Sequence, residues 1–190
     1  MKITRKWLVK KKACDSAIRT WDFKGLKSIE AVKLLKTLVA KGNLNWANWL
    51  IVRVMSRADR IRYACFAARQ VLHIFEKKYP GDKRPRTTIE TAEKCIENNS
   101  KKNRVAANAA ANESYAANAA SYAASYASYA AHEAAYAAAN ESDTTTYASY
   151  EAANAAAYAA YTANDAAKAA YTAMKIKILR HGIELLNKER

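Results

Sequence analysis

Apolar side chains recur every three to four residues along most of the chain, and no stretch alternates convincingly with a period of two. The first spacing places apolar side chains on one face of an α-helix, whereas the second is typical of a strand. Glycine and proline, which most often interrupt helices, number only four and two. The pattern therefore predicts an all-α protein, folded as a compact multi-helix bundle.

In the first half, the pattern predicts five helices separated by short polar turns. An extended N-terminal segment should lead into the first helix, and Ser28 should be the N-cap of the second, which Gly42 ends. The third helix is apolar on most of its sides, which is typical of a central helix. The predicted helices cover residues 12–21, 28–40, 44–55, 56–78 and 87–98.

Alanine dominates the second half and supplies 33 of the 69 residues from position 105 to position 173. Because alanine is the strongest helix former, this region is predicted to form two long helices, 102–140 and 147–186, joined by the turn ESDTTT. The pair would be a long Ala/Tyr-rich helical hairpin. We expect one domain, 1–190, in which a basic helical half (1–104) packs against an Ala/Tyr/Asn-rich half (105–190).

Tyrosines recur along one face of each Ala-rich helix, at a spacing compatible with a heptad. Two interpretations stay open: the rings fill the core and bond to Asn and Ser side chains, or some of them line a groove and stack on a planar ligand. The stripe would also suit an antiparallel homodimer. The tyrosines are Tyr115, Tyr122, Tyr126, Tyr129 and Tyr136 in the first helix, and Tyr147, Tyr150, Tyr158 and Tyr161 in the second.

The net charge of +15 is unevenly distributed. Residues 1–104 carry 26 Lys and Arg against 9 Asp and Glu, whereas residues 105–190 carry 6 against 8. A basic surface of this size attracts nucleic acids, nucleotides or acidic protein surfaces. The first half is therefore expected to meet an anionic partner.

Cationic and aromatic residues cluster at two places in the first half. One cluster joins two tryptophans to arginines spaced along a helix, and the other is the PGDKRPR segment before a helix N-terminus, where backbone N–H groups favour an anion. Guanidinium groups pair with phosphate and aromatic rings stack on bases. The candidate ligand-binding residues are Trp46, Trp49, Arg53, Arg57, Arg60, Lys83, Arg84 and Arg86, with Tyr122, Tyr126 and Tyr129 from the second half.

Motifs for catalysis, cofactors and metals are missing from the sequence. It has no P-loop, no GxGxxG and no GxSxG, and the His132-Glu133 pair lacks the second histidine of HExxH. Cys14, Cys65 and Cys95 lie far apart in apolar helical contexts, so we expect buried free thiols. We predict a protein that is not an enzyme, with no catalytic residue, no cofactor and no metal site.

The N-terminus has charges but no apolar signal-peptide region, and no run of about 18 apolar residues follows. We therefore expect no membrane contact and a cytoplasmic location, in a bacterial host if the gene belongs to a phage.

Three segments resemble a family of immunity proteins that is common in bacterial polymorphic-toxin neighbourhoods and in phage genomes. They are W-L-x-x-K-x-A-C near the N-terminus, W-x-x-W-L, and V-L-x-I-F-E-x-x-Y-P-x-D-x-R-P-R, the most specific of the three. Ala-rich helices follow, so the resemblance covers most of the chain. It implies an all-α fold and a protective role, with no established catalytic residues.

The leading hypothesis is a phage-type counter-defence protein that sequesters an anionic nucleotide signal. The alternative is an immunity protein or inhibitor that blocks a toxin or defence effector by protein–protein contact. A third hypothesis is non-specific binding of nucleic acid, with an affinity that falls steeply with salt.

Overall fold

The computed structural model describes residues 1–115, 122–140, 143–163 and 167–188. Within these ranges it contains ten helices and two short strands, and 83% of the structure is helical, so the predicted all-α bundle is confirmed. In chain order the elements are β1 (Lys2–Thr4), α1 (Arg5–Lys10), α2 (Asp15–Phe23), β2 (Ser28–Glu30), α3 (Ala31–Ala40), α4 (Leu44–Val54), α5 (Arg57–Lys78), α6 (Arg84–Glu97), α7 (Lys101–Tyr115), α8 (Tyr122–Ala139), α9 (Asp143–Thr162) and α10 (Ala167–Lys188).

The N-terminal region differs from the prediction in three respects, the first of which is that the helix predicted over 12–21 is α2, Asp15–Phe23. Its extended segment is confirmed only as far as Thr4, whose hydroxyl accepts a hydrogen bond from the Trp7 N–H and caps the additional helix α1. Ser28 is not a helix N-cap, because it pairs with Thr4 in a two-stranded antiparallel ribbon and α3 begins three residues later. Strands of three residues are too short to show a period of two.

Helices α4 and α5 form the centre of the bundle. Most of α4 is buried, as its continuous apolar pattern predicts, and α5 packs against α6, α8, α9 and α10. One hydrophobic cluster runs from Ile3 through both central helices to Leu186, so the two halves of the sequence share a core.

The Ala-rich region forms four helices, so the bounds predicted for its two long helices are wrong. The Ser114 hydroxyl donates to the carbonyl of Ser128 over 3.1 Å, and Lys175 Nζ lies 2.8 Å from Asn154 Oδ1. In continuous helices these pairs would lie about 20 and 30 Å apart. The chain therefore reverses between α7 and α8 and again between α9 and α10, without the glycine or proline that would mark a turn in the sequence.

Buried alanines make up most of the interface between α8 and α9, where Tyr126 also stacks on the exposed Tyr158. The alanines of α8 and α9 that the structure describes are almost all fully buried, whereas Tyr147 and Tyr158 are 63% and 44% exposed. Methyl side chains let two helices approach closely, and such an approach leaves no room for phenol rings between the axes. The interpretation of the tyrosine row as core is therefore wrong for Tyr147 and Tyr158, whereas Tyr126, Tyr129 and Tyr150 pack, partly buried, against the core.

Gly182 offers a direct test of the packing between α10 and the central helices. A Cβ atom there would lie 2.6 Å from Ile51 Cδ1 and 2.8 Å from the Tyr63 ring. We expect Gly182→Ala to lower the free energy of unfolding by about 1–3 kcal/mol, because overpacking outweighs the gain in helix propensity. Gly81→Ala is the control, since nothing lies within 4 Å of its Cβ. Equal urea midpoints for the two variants would contradict this packing.

Candidate functional site

A pocket of about 380 Å³ lies where α2, α3 and α4 meet, beside the turn after α1. Four aromatic residues line it: Trp21 from α2, Trp46 and Trp49 from α4, and Tyr150 from α9. Leucines from α1, α3 and α4 complete the apolar part of the wall. The structure thus brings two of the candidate residues, Trp46 and Trp49, to one cavity. It adds Trp21, which sequence reasoning missed, and Tyr150, a member of the tyrosine row that was not among the candidate site residues.

The ring of Trp49 is held in place from two directions. Trp7 contacts it edge-on, with ring centroids 6.2 Å apart, and the guanidinium carbon of Arg53 lies 4.1 Å from its centroid. Arg53 also donates to the Trp49 carbonyl over 2.9 Å. A ring fixed in this way is a preorganised stacking surface, because little side-chain entropy is left to lose when a planar ligand binds.

Three exposed lysines complete the lining of the pocket: Lys12 after α1, Lys24 after α2 and Lys41 after α3. Among the described residues, none of the three forms an ion pair. They belong to a strongly basic stretch, since residues 1–41 contain 12 Lys and Arg against 3 Asp and Glu. Sequence reasoning missed them because they lie on three different turns, although this local excess of charge was a usable signal.

Trp21 carries an unsatisfied hydrogen-bond donor at the pocket. Its side chain is only 5% exposed, and the described structure gives its indole Nε1–H no partner. A buried donor without an acceptor is costly, so native proteins rarely keep one. A ligand that brings an acceptor to the pocket would satisfy the donor once Trp21 adjusts.

A buried polar network lies directly behind the pocket wall. Lys175 from α10 is 1% exposed, and its ammonium group donates to Asn45 Oδ1, Asn154 Oδ1 and the Tyr171 hydroxyl over 2.5, 2.8 and 2.9 Å. Asn45 also lines the pocket. The positive charge of Lys175 is therefore separated from the cavity by a single side chain.

The Lys175 ammonium has no direct carboxylate partner in the described network. Burial lowers the pKa of Lys175 to about 8, while the nearby Glu151 carboxylate acts in the opposite direction. Burial in turn raises the pKa of Glu151. The network thus places a second positive charge beside the pocket. The sequence does not mark it, because Lys175 is one of several lysines in α10.

The three arginines at the junction of α4 and α5 bind backbone carbonyls. Arg57 donates to the carbonyls of Ala138 and Asn140 over 2.7 and 3.2 Å, at the C-terminal end of α8, and Arg60 donates to the Val52 carbonyl over 2.7 Å. Cations at a helix C-terminus satisfy its last carbonyls and its dipole. Arg53, Arg57 and Arg60, which were expected to bind phosphate, therefore donate to backbone carbonyls that a phosphate would have to displace.

A variant pair separates these two roles. We expect Arg57→Ala to lower the free energy of unfolding by about 1–3 kcal/mol, because it leaves part-buried carbonyls without a donor, and to leave ligand affinity unchanged. Arg84→Ala, which removes an exposed ion pair with Asp82, should change stability by less than about 0.5 kcal/mol. Urea unfolding and ligand titration of both variants check this, and lost affinity at unchanged stability in Arg57→Ala would contradict it.

The arginines of the PGDKRPR segment also form ion pairs with nearby carboxylates. Helix α6 begins at Arg84, three residues earlier than predicted, because Pro85 suits the first turn of a helix. Arg84 and Arg86 bind the carboxylates of Asp82 and Glu76 over 2.6 Å, and these guanidinium groups lower the pKa of both acids. Lys83 is exposed at the N-cap. These residues do not line the pocket.

The candidate tyrosines whose side chains are described, Tyr126 and Tyr129, do not line the pocket. Tyr126 stacks on Tyr158 with centroids 5.4 Å apart, and burial together with the Glu133 carboxylate raises the pKa of Tyr129. The side chain of Tyr122 lies outside the described residues. The pocket therefore takes Tyr150 from this row, and neither Tyr126 nor Tyr129.

The cysteines divide into two kinds. Cys65 and Cys95 are buried, as expected, and burial raises the pKa of both thiols. Cys14 was expected to be buried but is exposed and lines the pocket, because it precedes the first turn of α2 instead of lying inside a helix.

The fold and the pocket define an all-α protein with an aromatic, cationic cavity. The chain belongs to the family described as "Family of unknown function (DUF6931)", whose model matches residues 34–185. The match includes the α3 and α4 walls of the pocket but not the segment that carries Lys12, Trp21 and Lys24. No curated protein and no solved structure matches the chain.

The described residues contain neither a metal-binding cluster nor a membrane-spanning helix. No group of three or more His, Cys, Asp or Glu side chains there is arranged to hold a metal ion. In the same ranges, every helix is too short or too polar to cross a lipid bilayer.

Proposed function

We propose that this protein is a non-enzymatic binding protein that sequesters an anionic nucleotide in the pocket between α2, α3 and α4. The observation that carries the proposal is the combination, in one cavity, of a fixed Trp49 ring with Lys12, Lys24 and Lys41, which form no ion pair with any described residue. Aromatic faces stack on bases, and ammonium groups attract phosphates.

The size of the cavity supports a small ligand. Pockets for small molecules measure about 300–1,000 Å³ and are mostly apolar with a few polar groups. At about 380 Å³, this pocket is suited to one base with its sugar and phosphate. A longer nucleotide would extend past the lysines into solvent, where the basic N-terminal surface continues.

The proposal keeps the nucleotide hypothesis and changes the residues that would hold the phosphate. Lys12, Lys24 and Lys41 replace the arginines, because Arg57, Arg60, Arg84 and Arg86 already bind carbonyls or carboxylates. The Trp46 and Trp49 rings keep their stacking role, and Tyr150 replaces Tyr126 and Tyr129.

The biological setting follows from the resemblance to immunity proteins and is part of the proposal. Sequestration without turnover would suit counter-defence by a phage, where the ligand is a nucleotide signal. The second candidate, contact with an acidic toxin or effector protein, is favoured by the excess of 17 positive charges in residues 1–104, from 26 Lys and Arg against 9 Asp and Glu.

Calorimetric titration with linear and cyclic nucleotides, beside a duplex DNA, tests the proposal. We expect saturable binding of one or more nucleotides at one site per chain, and weaker DNA binding that falls steeply between 50 and 200 mM salt, as is typical of about six or more phosphate contacts. An absence of heat with every nucleotide, together with a co-purifying acidic protein, would overturn the nucleotide proposal in favour of the second candidate.

A further inference from the structure

Cys14 lines the pocket, close in sequence to Lys12, one of the three lysines in the lining. It is exposed and is the N-cap residue of the nine-residue helix α2, and Lys12 lines the pocket two residues before it. The Cys14 sulfur lies 3.2 Å from the Ser16 hydroxyl. An approaching disulfide can therefore reach this thiol from solvent through the same opening that a ligand uses.

The surroundings of Cys14 favour the thiolate. A hydrogen bond from the Ser16 hydroxyl lowers the pKa of Cys14, and backbone N–H groups at the start of α2 act in the same direction, while partial burial opposes them. Cysteines at helix N-termini near cations are the reactive ones in proteins, whereas thiols buried in apolar surroundings are inert. Cys65 and Cys95 are buried and should be inert, so they serve as internal references for the reactivity of Cys14.

Independent of the cysteine, the cavity has the features of a ligand site. The Trp21 side chain is nineteen-twentieths buried, lines the same pocket and has an indole N–H without a described acceptor. Lys12, Lys24 and Lys41 supply positive charge beside it. A ligand with an acceptor and negative charge, carried on an aromatic or apolar body, matches these groups.

We propose that Cys14 is a modification site, at which anionic low-molecular-weight disulfides are captured by thiol–disulfide exchange within the pocket. The Cys14 thiol first loses its proton to solvent. Its sulfur then attacks one sulfur of the disulfide, a new S–S bond forms, the old S–S bond breaks, and the second half leaves as a thiolate with the electron pair. Cys14 is oxidised to a mixed disulfide while the reagent is reduced to one thiolate.

The adduct occupies the cavity and blocks the non-covalent ligand. The inference rests on the proposed function only in that the pocket accepts anionic molecules, and it does not require the natural ligand to be a nucleotide. Reduction by a free thiol reverses the step, so the modification makes occupancy of the pocket dependent on the thiol–disulfide balance.

The test compares reaction rates of the full chain with two disulfides of opposite charge: 5,5′-dithiobis(2-nitrobenzoate), which is aromatic and dianionic, and cystamine, which is dicationic. N-acetylcysteine amide is the free reference thiol. We expect the ratio of anionic to cationic rate constants to exceed the ratio of the reference thiol about tenfold at low salt, which is the size of an electrostatic steering effect. The excess should disappear in a Lys12→Gln, Lys24→Gln, Lys41→Gln variant that is shown to be folded by circular dichroism.

Three controls decide the outcome. Cys14→Ser should lose the fast phase entirely, since Cys65 and Cys95 should react only on unfolding, and a retained fast phase would overturn the proposal. A rate ratio equal to that of the reference thiol would overturn it as well. A nucleotide that binds in the pocket, as shown by shifts of the Trp46 and Trp49 indole signals, must slow the reaction, and such binding without protection separates Cys14 from the pocket and also overturns the proposal. Conversely, charge selectivity at Cys14 without nucleotide binding would refute the proposed function alone.

Discussion

Trp49→Ala is expected to weaken nucleotide binding about 10- to 100-fold. Stacking of one base on an aromatic side chain contributes about 1–3 kcal/mol, and Trp7 and Arg53 hold the Trp49 ring of the pocket in place. The dissociation constant is measured by calorimetry on the wild type and the variant at the same salt concentration.

Two controls separate lost stacking from lost folding. Trp49→Phe keeps an aromatic face at the same position and should recover most of the affinity. Arg57→Ala is expected to lower stability by freeing carbonyls at the end of α8, and Arg57 does not line the pocket, so this variant should leave the affinity unchanged. If Trp49→Phe binds as weakly as Trp49→Ala, or if affinity follows the free energy of unfolding across all three variants, Trp49 is not a stacking residue.

The second large effect concerns the dependence of stability on pH through Lys175. The pKa of Lys175 is about 8 in the folded protein, whereas an unfolded lysine has a pKa of about 10.4. Between these values the unfolded state binds more protons, so this residue makes stability rise with pH. Below pH 8 the buried charge lowers the free energy of unfolding by about 3 kcal/mol, and most of this loss should be regained by about pH 10.5.

The measurement is the difference in unfolding free energy between the wild type and Lys175→Met, determined in urea from pH 7 to pH 10.5. Groups that do not contact Lys175, such as Cys65 and Tyr63, titrate alike in both proteins and cancel in the difference, which therefore reports on Lys175 together with its contact Tyr171. We expect the wild type to gain about 3 kcal/mol relative to the variant over this range. A difference that stays constant with pH would mean that Lys175 keeps an ordinary pKa.

The all-α class was predictable because periodicity, abundant alanine and scarce glycine all indicate helices. The central position of α4 followed from its apolar sides, and the burial of Cys65 and Cys95 followed from their helical surroundings. These features depend on local sequence, which is why the sequence alone revealed them.

The position of the chain reversals and of the pocket was not predictable. The sequence between α7 and α8 is as rich in alanine as the two helices, so the local pattern does not mark where α7 ends. The rings of Trp46 and Trp49 were identified, but only the tertiary fold brings Lys12, Trp21 and Lys41 to the same cavity. Arg57 was misread as a free cation because its partner carbonyls lie more than 80 residues away in sequence.

The indole N–H resonances of the four tryptophans provide the most direct test of the central claim that an anionic nucleotide binds in this pocket. Three of these residues, Trp21, Trp46 and Trp49, line the cavity, and Trp7 lies behind Trp49. During a nucleotide titration followed by ¹H–¹⁵N correlation spectra, we expect large saturable shifts for these three, with Trp21 moving most as its donor gains an acceptor, and a smaller shift for Trp7. Saturable binding that leaves all four indole signals in place, or that shifts only backbone signals around Arg57 and Arg84, would contradict the account.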